Sequence, residues 1–311
     1  MIDAEVVSEV SSLIRTVAQR EVLPRFGRLA AGDITEKAPG DLVTVADRAA
    51  EDALAERLRA LMPGSAVVGE EAVAADRSVL RLLDGDAPVW IIDPIDGTDN
   101  FVSGSPRFST LIALAQGGQL QASWTYIPVF GTMATAVAGG GAYVDGERIG
   151  VRDAPSAPSD AELLRHLDVI VPQPKWWTAQ ERLRFNGLAR HEIAVSYLDT
   201  SGIEYVQLAA GRRAAMVLTW EFPWDHAAGL LLHAEAGGVS TTADGAPFRL
   251  AGGNRLPFVA APNRRVAAAL HNALMLPRDA QTDGQAGARI DVSANGSRQS
   301  QGHPAGDAAA A

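Results

Sequence analysis

Val89-Trp90-Ile91-Ile92-Asp93-Pro94-Ile95-Asp96-Gly97-Thr98 decides how the rest of the chain is read. Val89 to Ile92 is apolar, rich in β-branched residues and ended by Asp-Pro, the pattern of a strand buried on both faces. Asp93 then falls at the carboxyl end of that strand. Pro94 lacks a ladder donor and Gly97 accepts positive φ, so the chain is expected to turn here and bring Asp96 back beside Asp93. Two carboxylates so close repel unless a cation holds them. A hard divalent ion such as Mg²⁺ suits them, since it is bound by a few carboxylates, waters and phosphate oxygens. The backbone N–H groups of Gly97 and Thr98 would face the same point and suit a phosphate. An innocent explanation stands beside this one: an acidic turn that only caps a helix.

Upstream, Val6, Val10, Leu13, Ile14, Val17 and Ala18 recur at three and four, the period of an amphipathic helix. After Gly40-Asp41-Leu42-Val43-Thr44, a second helix runs through Ala50, Leu54 and Leu58 to Pro63-Gly64. Thr44 is its expected N-cap, which places Asp47 in the first turn, where the helix dipole alone explains a carboxylate. Ala66 to Gly69 reads as a short buried strand ending in Glu70 and Glu71. A helical stretch is expected near Val79 to Leu83.

Downstream, Phe108 to Ala115, Gln121 to Pro128, Met133 to Ala138 and Ala142 to Val144 read as strands of an antiparallel meander separated by glycine turns. Composition shifts to Asp, Ala, Pro and Ser between Asp153 and Asp160, which places a seam there. Beyond it strand and helix alternate: Val169 to Val171, Trp177 to Leu188, Ile193 to Val195, Gly202 to Ala210, Ala214 to Thr219, and Asp225 to Ala236. The expected organisation is an α+β subdomain over 1–152, an α/β subdomain over 153–277 and a disordered tail over 278–311. The helix after Trp224 is apolar nearly all round, as for a helix sandwiched between layers, and Asp225 sits at its start, where capping again suffices as an account. Trp176-Trp177 and His226 read as packing or surface features.

Composition narrows the chemistry. With 311 residues, 47% hydrophobic and 21% charged, the chain can bury a large core. The net charge of -10 argues against a nucleic-acid polymer as partner, whereas a small phosphate ester can bind once cations reverse the local sign. There are no cysteines, which excludes thiolate catalysis, zinc-thiolate sites and iron–sulfur clusters. No apolar run reaches the length of a membrane span and the first residues lack a signal-peptide pattern, so a cytoplasmic location is expected.

Gly69-Glu70-Glu71, Asp93-Pro94-Ile95-Asp96-Gly97-Thr98 and Trp224-Asp225-His226-Ala227-Ala228-Gly229 resemble, in order and spacing, three motifs of the inositol monophosphatase family of Mg²⁺-dependent, lithium-sensitive phosphatases. Asp41-Leu42-Val43-Thr44 with Asp47 is similar to that family's N-terminal motif, and the resemblance extends over residues 5–275. It implies an α/β fold built as a layered αβαβα sandwich, and in many members a homodimer. It also implies that Glu70, Asp93 and the carbonyl of Ile95 hold a first Mg²⁺, that Asp93, Asp96 and Asp225 hold a second, and that two or three ions serve the site. Glu70 would position the attacking water, Thr98 bonded to Asp47 would activate it, and Asp96, Gly97 and Thr98 would grip the phosphate.

The sequence departs from the family at one place that matters. Many inositol-binding members carry a glutamate seven residues before the motif-three aspartate, and here that residue is Leu218. If Leu218 lines the pocket it offers no acceptor; if it faces the core, Glu221 or Glu204 could reach the alcohol instead. The implied substrate is an inositol phosphate-like monoester, with histidinol phosphate, 3'-phosphoadenosine 5'-phosphate and fructose 1,6-bisphosphate as alternatives. Two readings of other kinds stand against it: an aspartyl-phosphate phosphatase, whose loop is Asp-x-Asp where this chain has Asp-x-x-Asp, and a non-catalytic metal-dependent regulatory protein.

Overall fold

β-Branched and aromatic residues make Val89–Asp96 a strand that is buried along its whole length. The structure, a computed structural model, describes residues 2–275 with the exception of Pro155. The expected tail over 278–311 lies outside the described residues.

The chain begins with α1 (Ala4–Val17), capped by the Asp3 carboxylate, which accepts from Val6 N. A hairpin follows, β1 (Ile34–Ala38) and β2 (Asp41–Thr44), and then α2 (Val45–Leu61). Val10, Ile14 and Val17 meet Ala50, Leu54 and Leu58, so the three-and-four spacing read from sequence becomes the contact between the two helices. β3 (Ala66–Gly69), α3 (Glu70–Ala75), β4 (Val89–Asp96) and α4 (Thr98–Ser103) come next. The meander then runs β5 (Ser109–Gln116), β6 (Gln119–Ile127), β7 (Thr132–Val137), β8 (Gly141–Val144) and β9 (Glu147–Ile149). These strands form a seven-stranded sheet in sequence order from β3 to β9, parallel only between β3 and β4. Trp90 and Trp124 stand fully buried on its α1–α2 face, 6.0 Å apart. Their indole N–H groups are satisfied by Ser65 Oγ and by the carbonyl of Val7, both at 3.1 Å, so the bulk of two aromatics is buried without stranding a donor.

The second half contains α5 (Asp160–Arg165), β10 (Asp168–Val171), α6 (Ala179–Leu188), β11 (Ala194–Tyr197), α7 (Ser201–Ala209) and β12 (Ala215–Leu218). It ends with α8 (Pro223–Glu235), β13 (Val239–Thr241), β14 (Phe258–Ala261) and α9 (Arg264–Ala273). Its sheet has the order β11-β10-β12-β14-β13, with β10 parallel to β11 and β12, and β14 antiparallel to both its neighbours.

α7 and α8 fill the space between the sheets. Ala227 packs with Val68, Ile91 and Ala113 of the first sheet, while Leu230 and Tyr205 pack with Met216, Phe258 and Ala260 of the second. That is why α8 is apolar all round: it has two faces to bury. α5, α6 and α9 cover the far side of the second sheet. The result is the expected α/β sandwich of five alternating layers.

One expectation needs correcting. The chain does not turn at Pro94. Asp93 lies opposite Leu111 and Asp96 opposite Ser109, three steps against two, so β4 continues through a one-residue bulge and the turn comes at Gly97. In a regular strand residues three apart point to opposite faces, and the extra residue of the bulge restores the parity. Thr110 Oγ1 donates to the Pro94 carbonyl at 2.9 Å within the bulge.

Candidate active site

Four acids at strand ends and helix starts converge. Asp93 and Asp96 lie on β4, Glu70 opens α3, and Asp225 lies in the first turn of α8, with Asp47 in the first turn of α2 close by. Burial, then the charges of Glu70, Asp96, Asp225 and Asp47, hold the Asp93 carboxyl far above the usual carboxylate range. Burial, followed by Glu70 and Asp96, does the same to Asp225. Glu70 is pushed up to about 7 by burial, against the pull of the neighbouring Lys37 ammonium. Asp47 is pushed up to about 6 by burial, against its bonds from Thr44.

Each acid has a definite local setting. Asp47 closes the capping box of α2: its Oδ2 accepts from Thr44 N at 2.9 Å and Thr44 Oγ1 at 2.5 Å. Its other oxygen lies 3.3 Å from Thr98 Oγ1, which also lies 3.1 Å from the Ile95 carbonyl. The capping and the functional readings of Asp47 therefore coexist. Asp96 accepts from Ser109 Oγ (2.7 Å), Ser201 N (3.1 Å) and Gly202 N (2.8 Å). Gly97 takes φ 91°, which ends β4 and starts α4, and a Cβ there would overlap Thr200. The first-turn N–H groups of α4 have no acceptor within their own helix, which leaves them for an anion.

Sequence reading missed three participants. Lys37 on β1 places its ammonium 2.6 Å from Glu70 and 2.9 Å from Glu71. Burial opposes its charge, but the two glutamates hold it protonated, above its ordinary pKa. Trp220 donates its indole N–H to Asp225 Oδ2 at 2.5 Å. Glu51 binds the start of α3. Lys37 sits in a polar stretch without periodicity and gave no signal; Glu51 could have been found, as an acid one helical turn after Asp47 in an otherwise amphipathic helix.

Asp93 Oδ1 is buried and has no hydrogen-bond partner. An orphaned carboxylate oxygen among four other acids fits a cation, as does the all-oxygen donor set. Among the described residues no three acids or histidines converge closely enough to grip one ion in this conformation. Glu70 is turned to Lys37 and Asp225 to Trp220. The ammonium lies on Oε1 of Glu70 and the indole N–H on Oδ2 of Asp225.

The candidate alcohol-binding residues fare differently. Leu218 is fully buried among Leu198, Met216 and Phe258 and lines no open pocket. Glu204 is 2% exposed and faces the guanidinium groups of Arg213 at 3.5 Å and Arg107 at 3.6 Å, although its Oε2 has no hydrogen-bond partner. Glu221 accepts from Asn254 N (2.8 Å) and Nδ2 (3.0 Å). Leu218→Glu is expected to bury an unpaired carboxylate and cost about 3 kcal/mol or more, read as a lower urea midpoint. An unchanged midpoint would put the side chain in solvent.

His226 is buried, 3.1 Å from the Trp220 carbonyl and 3.5 Å from the Tyr205 hydroxyl, a packing feature, while Trp176 is half exposed beside Gly40, a surface feature.

Acids gathered where strands end and helices begin are the construction of a cation-assisted hydrolase of anionic esters. The model of the inositol monophosphatase family matches residues 3–277, and the chain belongs to that family, whose members are phosphatases of small phosphate esters. The inositol-1-monophosphatase of Mesorhizobium japonicum is 31% identical over 271 residues, covering 85% of this chain and 94% of the relative. The fructose-1,6-bisphosphatase/inositol-1-monophosphatase of Aquifex aeolicus is 30% identical over 243 residues, 77% of this chain and 86% of the relative. The crystal structure of the extragenic suppressor protein suhB from Bartonella henselae superposes with a TM-score of 0.72 at 25% identity, covering 86% of this chain and 98% of that one.

Proposed function

We propose that the chain is a Mg²⁺-dependent phosphomonoesterase that hydrolyses a small phosphorylated alcohol, inositol phosphate-like, by in-line attack of water. The observation that carries this reading is the unpartnered Asp93 oxygen buried among Glu70, Asp96, Asp225 and Asp47. Glu70, Asp93, the Ile95 carbonyl, Asp96 and Asp225 would hold two or three ions. When bound, the ions offset the charge of the phosphate and make water acidic enough to attack near neutral pH. Glu70 orients that water. The Thr98 hydroxyl would accept the water's proton while passing its own to the Asp47 carboxylate 3.3 Å away, and the N–H groups of Gly97 and Thr98 would hold the phosphate oxygens. A non-catalytic role on this scaffold would be favoured by a missing acid, and none is missing.

The remaining parts of the reading are a homodimer in the cytoplasm that binds the phosphate monoester and neither a nucleic-acid polymer nor a membrane. In its support, no helix among the described residues is long and apolar enough to cross a membrane, and the net charge is -10. A fructose bisphosphate is the second candidate substrate, favoured by the double name of the Aquifex relative.

The test is phosphate release from myo-inositol 1-phosphate, fructose 1,6-bisphosphate, histidinol phosphate and 3'-phosphoadenosine 5'-phosphate, with Mg²⁺ or with EDTA, and with lithium titrated at limiting Mg²⁺. Release in Mg²⁺ alone, inhibited by lithium, is expected. Release from none of them, or release that persists in EDTA, would overturn the proposal.

A further inference from the structure

Glu51 takes no part in the chemistry above, yet it is 6% exposed and both its oxygens are used. It lies on α2 one turn after Asp47. Its Oε2 accepts from Glu71 N at 2.8 Å and its Oε1 from Ala72 N at 2.9 Å. Those are first-turn N–H groups of α3, the helix that carries Glu70 and Glu71. The N-cap of that helix is Gly69, which has no side chain with which to satisfy them. A Cβ on Gly69 would overlap the Glu51 carboxylate. The glycine of the Gly69-Glu70-Glu71 motif is therefore there to admit the carboxylate of Glu51, and the two positions work as one device.

We propose that Glu51 is a positioning residue: by binding the first turn of α3 it sets where the Glu70 and Glu71 carboxylates stand relative to Asp93, and so sets the affinity of the site for its cation. The inference rests on the metal-site reading above. Glu70 is the first residue of α3, so its backbone direction follows from how that turn is seated. Lys37 draws the same two glutamates from the other side. Glutamine at 51 offers one acceptor where two are needed and turns an amide donor toward the second N–H, so the turn must shift. A purely structural cap would lower the melting temperature and leave cation affinity as it was.

The experiment uses the full chain with Glu51→Gln, Gly69→Ala and Asp93→Asn. Mn²⁺ binding is followed by electron paramagnetic resonance, Mg²⁺ binding by calorimetry, and the Mg²⁺ dependence of turnover alongside. Glu51→Gln is expected to weaken Mn²⁺ binding about 10- to 100-fold, the range for outer partners of metal ligands. The half-saturating Mg²⁺ concentration should rise by the same factor, with kcat at saturating Mg²⁺ within about twofold of wild type. Gly69→Ala, which displaces the carboxylate without removing it, should weaken binding similarly and keeps the test decisive if Glu51→Gln does not fold. Wild-type Mn²⁺ affinity in Asp93→Asn would overturn the metal-site reading itself. Loss of binding in Asp93→Asn with wild-type affinity in the Glu51 and Gly69 variants would overturn the positioning role alone.

Discussion

Asp93→Asn is expected to lower kcat in saturating Mg²⁺ by about four orders of magnitude, the scale seen when one member of a single catalytic unit is removed. Asp93 is the acid on which the others bear: its carboxyl is pushed up by burial and then by four neighbouring carboxylates, and one of its oxygens has no protein donor. Asparagine keeps the shape and removes the charge that cations would neutralise. The same substitution should leave the melting temperature in EDTA unchanged or raise it, because it removes a carboxyl that burial and its neighbours force the metal-free fold to take up a proton to accommodate. Activity and stability therefore move in opposite directions, which separates a functional acid from a structural one. Near wild-type turnover in Mg²⁺ would remove Asp93 from the mechanism.

Stabilisation by Mg²⁺ is the second large effect, and it should grow with pH. Burial holds Asp47 near 6 and Glu51 and Glu70 near 7 in the folded chain, against about 3.9 to 4.3 for unfolded carboxyls. Between about pH 4 and 7 the folded chain then binds more of these protons than the unfolded one, so metal-free stability falls as pH rises through that window. Cations bind the ionised form, so their affinity rises over the same range. Two buried histidines, His226 held near 3 and His233 near 4 by burial, act oppositely: they cost stability as pH falls from about 6.5. They enter the metal-free and metal-loaded states alike and cancel in the difference. At a Mg²⁺ concentration a hundredfold above its dissociation constant the gain is about 2.7 kcal/mol. The melting temperature should therefore rise by roughly 4 to 5 °C at pH 8 and by little at pH 5. Equal shifts at both pH values would mean that the cation does not bind at Glu70 and the acids around it.

What the sequence made legible follows from what leaves a periodic trace. The buried run of β4, the three-and-four spacing of α1 and α2, the meander from β5 to β8 and the two-faced α8 were all readable, because burial dictates composition at those positions. The Thr44–Asp47 capping box was readable for the same local reason. The hairpin β1–β2 was not: Ile34-Thr35-Glu36-Lys37-Ala38 alternates no apolar face, and its pairing is fixed by tertiary position. β14 escaped too, although Phe258 to Ala261 is wholly buried, because four residues after a polar, glycine-rich loop carry too little pattern. The bulge at Pro94 belongs to the register with β5, which no single strand encodes. In the site, the carboxylates were legible because they sit in motifs. Lys37 and Trp220 belong to no motif and became visible only once the chain brought them to those acids, whereas Glu51 left a trace in its spacing from Asp47 that went unread.

The clasp between Asp96 and the start of α7 has a thermodynamic consequence. One carboxylate at the end of the first sheet receives two backbone N–H groups from a helix of the middle layer and a hydroxyl from β5. If Asp96 holds a cation as proposed, ion binding and the seating of that helix on the carboxylate would be coupled, because one carboxylate serves both. On that reading a substitution that loosens α7 would weaken the ion by the same free energy with which the ion would hold α7 in place.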